Sequence, residues 1–113
     1  NSKIIITIED IIKFNYKESM KGAKHKFNHV MISPDGLKMM FMHRWFLSDG
    51  RRYDTLYVCN VDGSGIKIVA DDDMVSHCFW FDKTHIFAYL RDKDMGDKYY
   101  MIDINTGKKR ISR

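Results

Sequence analysis

Three histidines are the side chains whose type and spacing best suit chemistry in this sequence. His29 and His43 stand on either side of the turn in NHVMISPDGLKMMFMHRW, residues 28 to 45, and His77 lies 48 positions after His29. A neutral imidazole can bind a metal ion or carry a proton. A histidine at the start of a strand can equally hydrogen-bond to a neighbouring backbone. The stretch is therefore either part of a functional site or one corner of a repeating scaffold.

Two arginines are candidates for binding or catalysis. Arg44 and Arg91 follow the second strand of each of two predicted repeats, 47 positions apart. A guanidinium binds a carboxylate through two parallel hydrogen bonds. Their placement therefore predicts that an acidic ligand could be held at this end of the strands.

A polar loop, FLSDGRRYD at 46–54, is the candidate ligand-binding surface. Trp45 and Tyr53 flank the centre of this loop, and Arg51 and Arg52 lie within it. Aromatic rings stack on sugar faces, which favours a carbohydrate platform with basic neighbours. The alternative is that the rings pack between sheets.

Short strands joined by turns must position these residues. Turn residues such as those of Asp62-Gly63-Ser64-Gly65 separate β-branched and aromatic runs. The predicted strands fall at 29–33, 38–45, 55–61 and 66–70, and then at 76–81, 85–91, 98–104 and 109–112. Tyr100 lies 43 positions after Tyr57, near the spacing of the histidines and arginines. A self-similar repeat of roughly 40 to 50 residues with four antiparallel strands is typical of a propeller blade.

The N-terminal region differs from these repeats. Residues 3–8 predict a strand, and IEDIIKF at 8–14 predicts a short helix with Thr7 as its N-cap and Asp10 at the third helical position. We therefore divide the chain into three parts. They are an N-terminal strand, helix and linker over 1–26, a first blade over 27–72 and a second blade over 73–113.

The strands are apolar on both faces. In LYVCNV, Leu56 and Val58 point one way while Tyr57 and Cys59 point the other. A sheet with one solvated face would alternate more cleanly. The predicted fold class is all-β, with two four-stranded antiparallel propeller-type blades, a partial β-propeller, and a short N-terminal strand and helix. A sandwich of eight strands is the competing interpretation.

Composition narrows the function classes. Lysine and arginine number 19 against 15 acidic residues, a net charge of +4, and the basic clusters lie in separate loops or ends. We therefore expect no nucleic-acid partner, which would need charge on one face and a recognisable motif. No apolar run approaches the roughly 20 residues of a membrane span. Cys59 and Cys78 form no CxxC pair, which predicts buried free thiols and is compatible with a reducing compartment such as the cytoplasm.

The order of these motifs resembles known repeats. SPDG, an apolar strand and LYVCNVDGSG resemble TolB-like and WD40-like β-propellers. The longer pattern over 28 to about 105, with VSHCFWF, is most similar to oligogalacturonate lyases, a family of seven-bladed polysaccharide lyases. That resemblance implies a manganese ion held by His29, His43 and His77. It also implies an arginine, here Arg44 or Arg91, that removes the proton beside a sugar carboxylate.

The sequence departs from the lyase pattern at two positions. Where the family carries acidic residues directly after a histidine, this chain has Arg44 and Cys78. We therefore expect a non-catalytic propeller segment, a binding scaffold within a larger polysaccharide-related protein, with no cofactor of its own. The alternatives are part of a manganese-dependent lyase, with an acidic oligosaccharide as ligand, and an accessory domain of a glycosyltransferase or surface-polysaccharide protein. Because two blades do not close a propeller, we expect their bare faces to be covered by remaining blades of a parent chain or by self-association.

Overall fold

The computed structural model describes residues 7–112, without the side chains of Ile8, Asn28 and His29. The strand predicted over 3–8 lies almost wholly outside the described residues. One helix, a 3-10 turn and eight strands follow along the chain. They are α1 (Ile8–Phe14), the 3-10 turn (Glu18–Met20), β1 (Lys24–Ile32), β2 (Lys38–Phe46), β3 (Arg52–Asn60), β4 (Lys67–Ala70), β5 (Val75–Trp80), β6 (His85–Asp92), β7 (Gly96–Asp103) and β8 (Lys109–Ile111).

The strands form two four-stranded antiparallel sheets. The first sheet has the order β1-β2-β3-β4 and the second the order β5-β6-β7-β8. Within each sheet, every strand pairs with the next along the chain, because short turns join them. The prediction of an all-β chain with two such sheets is confirmed.

Two boundaries differ most from the prediction. β1 begins at Lys24, where a polar loop was expected, since Lys24 and Lys26 alternate with His25 and Phe27 across the strand. The loop expected at 46–54 is shorter than predicted, because β2 and β3 stay paired as far as Phe46 and Arg52. Only a tight hairpin is left at its tip, where the backbone N–H of Gly50 donates to Leu47.

The helix α1 is capped as predicted. The Thr7 hydroxyl accepts from the Asp10 backbone N–H at 3.1 Å, and the Asp10 carboxylate accepts from the Thr7 N–H at 3.0 Å. This reciprocal pair satisfies two of the free N–H groups at the helix start. Ile11 is fully buried against the first sheet, and the Phe14 ring meets that of Tyr57 edge-on at 6.2 Å, so apolar side chains hold the short helix on this sheet.

The main core lies between the two sheets. Side chains that point inward from β2, β3, β5, β6 and β7 form it, among them Met40, Leu56, Cys78, Leu90 and Tyr100. All five are at least nine-tenths buried. We call the faces that line this core the inner faces and the opposite faces the outer faces.

The sequence matched Tyr57 with Tyr100 and Arg44 with Arg91 in the two repeats, and this match is wrong by one residue for both pairs. Tyr57 lies on the outer face of the first sheet, whereas Tyr100 lies in the core between the sheets. Arg44 lies on an inner face with Met42, whereas Arg91 alternates with the buried Leu90 and points outward. Because side chains alternate along a strand, a slip of one position exchanges the two faces.

Candidate functional site

His43 is the more enclosed of the two candidate histidines whose side chains the structure describes. It lies in the middle of β2 on the outer face of the first sheet and is fully buried. Its Nε2 is 2.9 Å from Nδ1 of His25 on β1, and the two rings stack with centroids 5.1 Å apart. Its Nδ1 is buried without a hydrogen-bond partner among the described residues.

Aromatic rings surround this histidine pair. The centroid of Trp45 is 5.0 Å from that of His43, and Phe27 meets the same ring edge-on at 5.9 Å. Burial, and secondarily the neighbouring His25, lower the pKa of His43 to about 4. His43 is therefore neutral at physiological pH, because the apolar surroundings disfavour the imidazolium.

His77 lies in a different place. It is exposed on β5, at an irregularity in the pairing with β6 between Val75 and Cys78. It borders an open groove of about 590 Å³. The other lining residues are Met31, Cys78, Phe79, Phe87 and Tyr99.

The structure does not bring the described candidate histidines together at one place. His43 and His77 lie on different sheets, and the side chain of His29 is outside the described part of the chain. Among the described residues, no group of three or more His, Cys, Asp or Glu side chains could hold a metal ion. The expectation that His29, His43 and His77 share a manganese ion stays a prediction from the resemblance alone.

The two candidate arginines have different roles. Arg44 joins the sheets, since its Nε donates to the buried Asp54 at 2.6 Å, and the other Asp54 oxygen accepts from the Val75 N–H at 3.1 Å. Arg91 is exposed and binds Asp97 at 2.9 Å. That carboxylate raises the pKa of Arg91, which is opposite to what a proton-abstracting base requires.

The candidate ligand-binding loop does not present its aromatic rings to solvent. Trp45 is fully buried and Tyr53 is half-buried beside it. The interpretation of Trp45 as a carbohydrate platform is therefore wrong for this structure, because its ring has no free face. Arg51 and Arg52 are exposed, and both pair with nearby aspartates, Arg51 with Asp49 and Arg52 with Asp54.

Sequence reasoning missed an aromatic ladder on the outer face of the second sheet. Phe79, Phe87 and Tyr99 lie side by side on β5, β6 and β7, with ring centroids 5.3 and 5.2 Å apart, and Tyr89 meets Tyr99 at 4.9 Å. Phe79 is 47% exposed and Tyr99 44%. Their alternation with inward-pointing residues was visible in the sequence, but it was not visible that no element among residues 7–112 covers that face.

Both cysteines are free and buried, as predicted. Burial raises the pKa of each thiol, that of Cys78 to about 11. Both are therefore protonated at neutral pH and poor nucleophiles.

Comparison with family models, curated proteins and solved structures returns no match to this chain. Among residues 7–112, no helix is long and apolar enough to cross a membrane. The propeller and lyase resemblances therefore continue as proposals that depend on the residues themselves.

Proposed function

We propose that this chain is a non-catalytic, propeller-type scaffold of a larger polysaccharide-related protein, and that its aromatic ladder packs against another antiparallel sheet of the same kind. The observation that carries the proposal is the exposure of Phe79 and Tyr99 on the outer face of the second sheet. An exposed apolar patch of this type marks an interaction site.

The arrangement of the rings favours a protein partner over a sugar. Phe87 and Tyr99 stack on one another with an interplanar angle of 14°, so the ring faces between them are occupied. A sugar would stack on a free ring face, whereas the ring edges of the ladder suit the apolar side chains of a packed sheet. The ladder therefore supports sheet packing better than carbohydrate binding.

The chain itself supplies the precedent for this packing. The inner face of the second sheet already packs against the first sheet through side chains such as Ile86, Ala88 and Leu90. Repeating this face-to-face relation places a further four-stranded sheet against the ladder, as between consecutive propeller blades. In solution, the corresponding face of a second copy can take that place.

The two alternatives have less support. A lyase needs a base and a metal beside an acidic sugar, and the described candidates lie apart on different sheets and faces. A glycosyltransferase accessory role is compatible with a scaffold, but no contact among the described residues distinguishes it.

Light scattering after size exclusion tests the proposal on the 13.4 kDa chain. We expect a dimer or larger species, and we expect Phe79→Glu to shift it to the monomer. Leu37→Glu is the matched control, since Leu37 is 63% exposed in the turn before β2, away from the ladder. A monomeric wild-type chain whose binding of an apolar dye is unchanged by Phe79→Glu would contradict the proposal.

A further inference from the structure

The strand β1 forms one edge of the first sheet and pairs only with β2 among the described strands. In an edge strand, every second residue directs its backbone N–H and C=O away from the sheet. Lys24 and Lys26 lie in the regular part of β1, before the irregularity in its pairing between Asn28 and Met31. This part of the strand therefore has a straight outer backbone that a further strand can pair with.

Cationic side chains gather beside this part of the edge. Lys26 is directly opposite Arg44 on β2, and Lys24 is directly opposite Phe46, which faces Arg52 on β3. Residues opposite each other in an antiparallel pair lie on the same face, and so do residues two positions apart in one strand. The four cationic side chains therefore share one surface, which we call the basic edge: Lys24, Lys26, Arg44 and Arg52.

The basic edge lies on the inner face, at the border of the part that the second sheet covers. Arg44 marks this border, since its guanidinium donates to the carbonyl of Val75, the first residue of β5, at 3.5 Å. Lys24, Lys26 and Arg52 are nevertheless exposed. The second sheet thus leaves three of the four cations open to a ligand in solution.

The positive charges of the basic edge exceed the negative charge that faces them. In these two rows of side chains the only carboxylate is that of Asp54. One of its oxygens accepts from Arg44 Nε at 2.6 Å and lies 3.7 Å from Arg52 Nε, and the other accepts from the Val75 N–H at 3.1 Å. No carboxylate in the described part of the chain pairs with either lysine. Because like charges directly opposite each other destabilise a sheet, the Lys26 ammonium favours an added anion.

The lysines also select which kind of strand can pair with the edge. Lysine on an edge strand discourages pairing with a neutral or basic strand. An acidic strand is favoured instead, because opposite charges on neighbouring strands attract. Alternate residues of an extended segment lie on one face about 6.8 Å apart, which is also the spacing of Lys24 and Lys26. A segment with acidic residues at alternate positions therefore matches both the backbone and the charges of β1.

We propose that the basic edge is a docking site for an acidic peptide segment of a partner protein. The segment adds to β1 as a further strand of the first sheet and places alternate carboxylates beside Lys24 and Lys26. In such strand addition, main-chain hydrogen bonds supply affinity and alternate side chains supply specificity. The site is separate from the aromatic ladder, which lies on the outer face of the other sheet.

Calorimetry with two synthetic peptides tests the proposal on the full chain. The probe is a peptide in which glutamate and threonine alternate, and the comparison peptide has the same composition with its glutamates in one block. We expect the alternating peptide to bind more tightly, because only alternation places every glutamate on one face. We also expect its binding to slow hydrogen exchange at backbone amides of β1, since these gain hydrogen bonds.

Charge reversal at the edge supplies the matched pair of variants. We expect Lys26→Glu to weaken binding of the alternating peptide by about tenfold, because it replaces an attraction by a repulsion. Its new carboxylate faces Arg44, so the fold should be retained. Lys67→Glu makes the same change on β4, the other edge strand of this sheet, where Lys67 is also exposed. We expect that control to leave the affinity nearly unchanged. If Lys26→Glu loses its sheet circular dichroism, Lys26→Thr removes the charge in its place.

Four results would overturn the proposal. They are no binding of the alternating peptide, equal affinity for the two peptides, equal weakening by Lys26→Glu and Lys67→Glu, and unchanged exchange at the amides of β1. Inorganic polyphosphate is the last probe, since it carries negative charge without a peptide backbone. Polyphosphate that binds as tightly as the alternating peptide would identify a general anion surface and overturn strand addition, whereas weaker binding supports it.

Discussion

The two sheets have the same topology but opposite relations to solvent. Each is a meander of four antiparallel strands with aromatic side chains on its outer face. In the first sheet the Phe41 and Tyr57 rings stack with centroids 5.3 Å apart, under the segment over residues 7–23 that precedes β1. In the second sheet Phe87 and Tyr99 stack at 5.2 Å with no covering element among residues 7–112.

This difference shows that the formation of a sheet and the covering of its outer face have separate causes. Turn residues and cross-strand pairs form both meanders, and they act locally. Whether an aromatic face becomes core or interaction surface depends on what packs over it. In this chain the segment before β1 covers one face, and no element among residues 7–112 covers the other.

The largest expected contrast concerns single aromatic side chains. We expect Phe41→Ala to lower the free energy of unfolding by about 4 kcal/mol, because it removes a fully packed ring beneath the segment that precedes β1. Phe79→Ala should cost less than about 2 kcal/mol, since half of that ring is already in water. Urea unfolding of the two variants measures both values. Equal losses would mean that Phe79 is as well packed as Phe41.

A second contrast concerns two ion pairs. Asp54 is buried between the sheets, and we expect Asp54→Asn to destabilise the chain by about 3 kcal/mol, because the partly buried Arg44 guanidinium loses its counter-charge. Asp97 forms an exposed pair with Arg91, and Asp97→Asn should change stability little, since water and salt screen that pair. Thermal unfolding distinguishes them, and an equal effect would show that Arg44 is not needed to join the sheets.

The third expectation is a pH dependence specific to the first sheet. The pKa of His43 is about 4 in the folded chain, below the ordinary histidine value of about 6.5. As pH falls, His43 is therefore protonated in the unfolded chain before it is protonated in the folded chain. The stabilisation is complete above about pH 6.5 and is lost as pH falls towards 4, by about 2 to 3 kcal/mol.

Unfolding measured from pH 7 to 4 in wild type and His43→Phe checks this dependence. The variant should lose most of the slope in that window. His77→Phe, at an exposed histidine of the second sheet, should keep it. A wild-type slope that survives in His43→Phe would assign the effect to other groups.

The smallest expected effect compares two threonine hydroxyls that each accept a backbone N–H. Thr7 caps α1, and Thr106 accepts from the Lys108 N–H in the last hairpin. We expect Thr7→Ala to cost about 1 kcal/mol by loss of the N-cap. Thr106→Ala should cost less than about 0.5 kcal/mol, because water replaces its contact at an exposed turn. Chemical denaturation of both variants tests this order. A larger loss of stability for Thr106→Ala than for Thr7→Ala would contradict it.

Much of the fold could be predicted from residue patterns, whereas the candidate site could not. The Pro34-Asp35-Gly36 turn and the Thr7 cap are local signals, and both are present in the structure. The environment of His43 depends on His25, a residue predicted to be in a loop, since the alternation of lysines around it concealed a strand. The aromatic character of Trp45 suggested a ligand platform, but distant packing of the 3-10 turn buried it.

The sequence by itself determined the eight strands, their order, the capped helix and the buried free thiols, because short-range turn chemistry and alternation encode them. The tertiary structure decided whether a given side chain lies on the inner or the outer face of its sheet, as the opposite positions of Tyr57 and Tyr100 show. It also decided that the aromatic face of the first sheet is covered and that of the second is open. Coverage depends on contacts between residues far apart in the chain, such as Asn15 with Asp71, which no local pattern records.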